Sequence, residues 1–240
     1  MQLSSATALI TGANRGIGRA LLDRLLADGV PKIYATARTA SEADKLSAVD
    51  KRVTGLVLDV TNPAQIEAAA GRARDVTLLI NNAGVLDFGN FLDAGRAQVE
   101  RNFATNFYGT LDVTKAFVPA IEANGGGTIV NLLTLVALAS MPGLSVYNAS
   151  KAAAWSMTQS WRASLAGKHI KVMGVFPGAV DTDMLAGVDM PKTSAVDIAA
   201  AISAAIAKDS EDVFPDPMSA SLYEQWKADH KAVEHQFATM

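Results

Sequence analysis

The chain has 240 residues, half of them hydrophobic, and a formal net charge of −3. That length suits one domain with a large core, and the mild acidity leaves no basic field to recruit nucleic acid. There is no cysteine, which excludes disulfides, thiolate catalysis and cysteine metal sites, and His169, His230 and His235 lack a metal-site arrangement.

Residues 6–10 (Ala-Thr-Ala-Leu-Ile) read as a short buried strand. The strand starts almost at the first residue, which predicts no signal peptide. A glycine-rich turn follows, Thr-Gly-Ala-Asn-Arg-Gly-Ile-Gly over 11–18, and then helical apolar spacing to residue 28 that stops at Gly29. Strand, glycine turn, helix is the context in which glycines hold a dinucleotide pyrophosphate. Gly12 suits a tight turn, Gly16 a close backbone approach to phosphate, and Gly18 close helix–strand packing. The spacing is G-x-x-x-G-x-G, not the usual G-x-G-x-x-G, and a glycine turn alone serves structure equally well.

Further strands are predicted near 32–37, 53–58, 76–80, 127–133, 170–176 and 211–214. Helices are predicted near 16–28, 63–73, 93–123, 146–168, 194–208 and 218–238. This alternation predicts an α/β doubly wound (Rossmann) fold: a mainly parallel seven-stranded sheet with helices on both faces. One domain over 1–240 is expected, with ligands beyond the carboxyl ends of the strands. The uncharged run over 123–150 is broken by glycines at 125–127, Asn131 and Pro142-Gly143, so it suits a buried strand and a site loop rather than a membrane span. No membrane association and a cytoplasmic compartment are expected.

Tyr147 and Lys151 lie four residues apart, on one face of the predicted helix. A free tyrosine has a pKa of about 10, and a nearby positive charge lowers it. The pair suits a tuned general acid/base, although the same spacing also occurs on solvated helix faces.

Five segments together carry a resemblance: the glycine turn over 11–18, Asn-Asn-Ala-Gly over 81–84, Asn106 in Asn-Phe-Tyr-Gly, Tyr147 with Lys151, and Pro-Gly-Ala-Val-Asp-Thr over 177–182. In this order the chain resembles the short-chain dehydrogenase/reductase family, in its compact single-domain branch, over residues 5–182. The resemblance implies that Tyr147 protonates a substrate carbonyl oxygen and that Lys151 holds the nicotinamide ribose and lowers the tyrosine pKa. Asn106 holds a water that links Lys151 to solvent. Thr134 occupies the position, thirteen before the tyrosine, where the family usually has serine. Threonine keeps the hydroxyl that polarises the carbonyl and adds a methyl group that stiffens χ1. Alternatively it is a packing residue in a degenerate site.

For the cofactor, the resemblance assigns Gly12, Asn14, Arg15, Gly16, Ile17 and Gly18 to the phosphate turn. It places Asp59 and Val60 at the adenine, Asn81, Ala83 and Gly84 along the cofactor, and Pro177, Gly178, Val180 and Thr182 at the nicotinamide. No acidic residue lies between Lys32 and Ser41, where an NAD site places one for the ribose hydroxyl. Arg38 follows the second strand instead, and with Arg15 it suits a 2′-phosphate, so NADP(H) is expected. Surface charge is the alternative for either arginine.

The resemblance places a substrate-covering loop over 183–193, with Met184 and Leu185, opposite Leu135, Val136, Met141 and Leu144. These side chains suit a small hydrophobic carbonyl or alcohol, although several also suit the core. The expected activity is an NADPH-dependent carbonyl reductase, reversibly an alcohol dehydrogenase. The alternative is a non-catalytic dinucleotide-binding sensor or scaffold. Over 218–238 the chain departs from the family with a C-terminal helix that Trp226 and Phe237 would anchor. A homodimer through the helices near 93–123 and 146–168 is expected, with a tetramer the less favoured assembly.

Overall fold

A computed structural model describes residues 1–239. Its central sheet has seven strands: β1 (Thr7–Ile10), β2 (Lys32–Ala37), β3 (Val53–Val57), β4 (Leu78–Asn81), β5 (Gly127–Leu132), β6 (Ile170–Val175) and β9 (Asp212–Val213). The order is β3-β2-β1-β4-β5-β6-β9 and every neighbouring pair is parallel. The strands read as continuous apolar runs because both faces are covered. Successive residues point to opposite faces. Thus Ala8, Ile10, Leu78 and Ile80 enter one core, under helices α1 (Gly16–Ala27) and α7 (Ala195–Ala207). Leu9, Leu79 and Ile129 enter the other core, with Val113, Phe117, Ile121 and Leu165. Those last four come from α5 (Thr110–Ala123) and α6 (Ser145–Ala166).

The helices begin where the sequence supplies caps. Asn62 accepts the Gln65 N–H ahead of α3 (Pro63–Arg72), with Pro63 in its first turn, and Ser194 accepts the Asp197 N–H ahead of α7. α1 buries Gly18, Leu21, Leu22 and Leu25, one stripe of a 3.6-residue period, and the chain turns at Gly29 with φ +81°.

The structure departs from the predicted elements in four places. Helix α2 (Ala40–Ser47) is not among the predicted elements; Thr39 caps it, and only Ala43 and Leu46 are buried. The helix predicted over 93–123 divides into α4 (Arg96–Phe103), a π-helical turn (Ala104–Gly109) and α5. The C-terminal helix breaks at Asp229 into α8 (Pro217–Ala228) and α9 (His230–Ala238), because the Asp229 carboxylate caps a new first turn through the Lys231 and Ala232 N–H groups. Two short strands, β7 (Val180–Asp181) and β8 (Thr193–Ser194), pair beside the main sheet and bracket residues 182–192.

Candidate active site

The sheet order reverses between β1 and β4, and a cleft of about 940 Å³ opens there beyond the carboxyl ends of the strands. Thr11, buried as it leaves β1, ties the two strand ends together. Its hydroxyl accepts the N–H groups of Asn82 (2.9 Å) and Ala83 (3.0 Å). The Asn82 side chain returns two donations, to the carbonyls of Thr11 (2.9 Å) and Gly12 (3.0 Å). Gly12 sits at φ +66°, which disfavours a side chain, and a Cβ on Gly18 would lie 2.2 Å from the Gly12 carbonyl oxygen. α1 can therefore start directly on the turn.

No side chain caps that start among the described residues, and Gly16 and Ile17 line the cleft. The first-turn N–H groups and the helix dipole make this a seat for an anion. A nicotinamide dinucleotide fits these residues: an uncapped helix end for the pyrophosphate, with cationic side chains beside it.

Those side chains are Arg15 and Arg38, both on the cleft wall and exposed. Arg15 pairs with Asp183 at 3.2 Å, across the cleft mouth. Glu42, one residue beyond Ser41, lies in the same region. It accepts from Asn14 Nδ2 (2.7 Å) and the Thr39 hydroxyl (2.9 Å). The Thr39 hydrogen bond holds the Glu42 carboxyl below its ordinary value, with Asn14 and Arg38 adding to it. Asp59 and Val60 also line the cleft, as do Ala83, Gly84, Pro177, Gly178, Val180 and Thr182.

Beyond β5, Thr134 adopts an extended conformation and its hydroxyl accepts the Val136 N–H at 3.4 Å, opening the short turn Leu135–Ala137. α6 presents Tyr147 and Lys151 on the same wall; both are almost wholly buried (8% and 5% exposed). The Lys151 ammonium donates to the Leu132 carbonyl at 2.6 Å and lies 5.9 Å from the centre of the Tyr147 ring. Burial pushes the Tyr147 phenol up to about 12, against a hydrogen bond with Thr134 that pulls it down. Burial also lowers the Lys151 ammonium to about 8. The expected lowering of the tyrosine by the lysine is thus corrected here. Desolvation of the phenolate dominates, and the ammonium is directed to a main-chain carbonyl.

Asn106, Asn81 and Gly18 do not line the cleft; they stand behind its wall. Asn106 is buried in the π-helical turn, a local irregularity frequent at functional sites. Its side chain clamps Val85, accepting from the N–H and donating to the carbonyl, both at 2.9 Å. It also donates to the Ser150 hydroxyl (2.9 Å), which donates to the Tyr147 carbonyl (2.7 Å). The Asn106 side chain thus joins the β4 loop to the tyrosine's own turn. Asn81 donates to Thr114 and Asn131, each at 2.9 Å, and Asn131 donates to Thr158 at 2.9 Å. This buried polar ladder fastens β4 and β5 to α5 and α6.

At the other end, Leu135, Val136, Met141, Leu144, Met184 and Leu185 all border the cleft. The sequence reading missed Phe88, Val188, Met218, Leu222, Gln236 and Phe237 on the same wall. The apolar i, i+4 pair Val233 and Phe237 was the available signal, because it marks a buried helix face. Arg101 is at this wall too, ion-paired with Asp87 at 2.8 Å. Among the described residues no cluster of three potential metal ligands occurs, and no helix is long and apolar enough to cross a membrane.

A parallel sheet with a phosphate-ready glycine turn at its switch point, and a buried tyrosine–lysine pair across the cleft, defines a dinucleotide-binding oxidoreductase-type site. The chain belongs to the short-chain dehydrogenase/reductase family: a family model described as short chain dehydrogenase matches residues 6–192. It is 33% identical to a sorbitol dehydrogenase of Cereibacter sphaeroides over 194 residues, 79% of this chain and 76% of that one. A short chain dehydrogenase from Burkholderia cenocepacia, solved in complex with NADP, superposes with a TM-score of 0.93 at 37% identity, over 99% of both chains. A family member from Burkholderia phymatum, solved with NAD, gives a TM-score of 0.86 at 25% identity, over 98% of this chain and 96% of that one.

Proposed function

We propose that this chain is an NADP(H)-dependent carbonyl reductase, reversibly an alcohol dehydrogenase, for a hydrophobic ketone or aldehyde. The observation that carries this reading is one continuous cleft. It runs from an uncapped helix end flanked by Arg15 and Arg38, past Thr134, Tyr147 and Lys151, to an apolar end.

When bound, the nicotinamide supplies the hydride. Arg38 and Arg15 hold the 2′-phosphate, Asp59 and Val60 flank the adenine, and Ala83 and Gly84 line the path between the two ends. Val180 and Thr182 would hold the carboxamide, with Pro177 and Gly178 on the same stretch of cleft wall. Lys151 holds the nicotinamide ribose. The Thr134 hydroxyl donates to the substrate carbonyl oxygen and so stabilises the charge that grows there. Tyr147 gives its phenolic proton to the same oxygen, and Lys151 lies on the route by which that proton is replaced. A phenol pushed up by burial stays protonated at neutral pH, as an acid for reduction requires. The NADP found with the Burkholderia cenocepacia relative supports the cofactor, while the NAD found with the Burkholderia phymatum relative makes the preference a matter for measurement.

We also assign α4, α5 and α6 the contact face of a homodimer. Tyr108, more than half exposed between α4 and α5, supports this, and sedimentation analysis checks it.

Oxidation of NADPH, followed with a panel of aryl ketones and aldehydes and with chiral analysis of the alcohols, tests the activity. Binding of NADPH without turnover of any carbonyl would favour the non-catalytic sensor. Calorimetric titration with both cofactors tests the preference; tighter binding of NADH would overturn the assignment of NADP(H).

A further inference from the structure

Beyond residue 192, where the family model ends, the chain carries a buried carboxylate. Asp216 is 4% exposed. It accepts the Gly178 N–H (2.8 Å), the Ser219 N–H (2.9 Å) and the Ser219 hydroxyl (2.9 Å). The Ser219 N–H bond, together with the Asp216 N–H donated to the Ser219 hydroxyl at 3.3 Å, forms the capping box of α8. The Gly178 bond is a different contact. It reaches 38 residues back to the backbone beyond β6, on the cleft wall. The approach is close: a Cβ on Gly178 would lie 2.8 Å from the Asp216 carboxylate and 3.0 Å from the Met218 sulfur.

An aromatic stack also ties α8 to the body of the domain. Phe176 stacks on Phe214 (5.0 Å between centroids), Phe214 on Tyr223 (3.9 Å), and Trp226 meets Trp155 of α6 edge-on (6.1 Å). α9 then folds back over the cleft. Its Phe237 is 4% exposed and packs in one cluster with Leu135, Val136, Leu222 and Tyr147. The cluster therefore joins the last helix of the chain to the proposed proton donor.

We infer that α8 and α9 form a fixed specificity wall of the substrate end, in which Phe237 limits the size of the carbonyl substrate. Asp216 is its positioning residue, holding the wall in register with the Gly178 backbone. The favoured substrates are compact, uncharged ketones or aldehydes, with larger ones excluded by the Phe237 ring. This inference rests on the carbonyl-reductase reading for its substrate class. Contacts of this kind discriminate by tenfold or more for small changes of shape. A supporting shell keeps a pocket within a fraction of an ångström.

The test compares acetophenone with its 4-phenyl derivative, both in turnover with NADPH and in calorimetric binding to the NADP⁺-loaded protein. Phe237→Ala should raise preference for the larger ketone by about tenfold or more. Phe237→Leu and Leu222→Ala should shift it in the same direction by less, and they replace the first variant if it fails to fold. Asp216→Asn keeps a capping side chain but weakens the Gly178 contact. It should raise KM for acetophenone roughly fivefold with kcat little changed, and it should speed hydrogen exchange at the Gly178 amide. Unchanged preference in all three wall variants, or no binding of either ketone to any form, overturns the wall. Unchanged exchange and KM in Asp216→Asn overturns the tether. If neither ketone turns over but the binding preference still shifts, the wall stands and the carbonyl-reductase reading fails.

Discussion

Thr134 is the residue on which the chemistry of this site can be divided most finely. Its hydroxyl accepts the Val136 N–H and acts on the Tyr147 phenol, pulling its pKa down against the effect of burial. Thr134→Val keeps the branched shape and removes the donor. Donors of this type contribute about 2.7–4 kcal/mol, so kcat on one aryl ketone should fall a hundredfold or more. Thr134→Ser should retain most activity; equal activity in the valine variant would show that the hydroxyl has no catalytic part. Tyr147→Phe should abolish turnover and leave NADPH binding intact, as measured by calorimetry. At the far end of the cleft, Glu42 draws on Arg38 and on Asn14 of the glycine turn. Removing its charge takes a negative neighbour away from Arg38 and from an incoming phosphate, so Glu42→Gln should tighten NADPH binding several-fold and leave NADH nearly unchanged. Equal effects on the two cofactors would place Glu42 outside the 2′-phosphate site. That Tyr147 and Lys151 share one wall was legible from their spacing on one helix, whereas Thr134 was placed beside them through the family resemblance. The partners of Asn106 and Glu42 were not legible. Val85, Ser150 and Asn14 are brought to them by tertiary packing, which leaves no periodic trace.

At the scale of elements, the seven-stranded parallel sheet was legible because a strand buried on both faces must be apolar throughout. The apolar face of α1 is equally plain. Helix α2 was missed because two buried residues are too few to set a period. The π-helical turn was missed because one extra residue per turn shifts the apolar stripe without interrupting it. The break at Asp229 had a visible signal, a capping aspartate inside an otherwise continuous helical pattern, but a single polar residue on a polar face carries little weight. The glycine turn gives a sharper test of element packing. α1 begins so close to the turn that a methyl group at Gly18 would meet the Gly12 carbonyl at 2.2 Å and Asn82 Nδ2 at 2.5 Å. Gly18→Ala should therefore destabilise the fold by about 1–3 kcal/mol, read from urea midpoints, through overpacking rather than through φ. A change within experimental error would mean that α1 can retreat from the turn at no cost.

The whole molecule carries its site at a cost in stability, and that cost depends on pH. Lys151 is buried with its ammonium on a single main-chain carbonyl, and its pKa falls from an ordinary 10.5 to about 8. Between those values the unfolded chain binds the proton and the folded chain does not, so stability rises with pH across that window. The penalty is fully present below about pH 8 and is relieved by about pH 10.5. Tyr147 acts in the opposite sense. Its pKa rises from 10.0 to about 12, so the folded chain keeps a proton that the unfolded chain loses, and stability falls with pH between those values. Comparing the protein with Lys151→Met isolates the lysine, because the tyrosine contribution is common to both. The methionine variant should be inactive and more stable by about 1–3 kcal/mol at pH 7, the gain being reduced by the donor lost from the Leu132 carbonyl. Urea midpoints at pH 7, 8.5 and 10 should show that advantage shrinking as the pH rises. An advantage that stays constant across this range would mean that Lys151 is not held as a buried charge, and that the ammonium reaches solvent more freely than its surroundings imply.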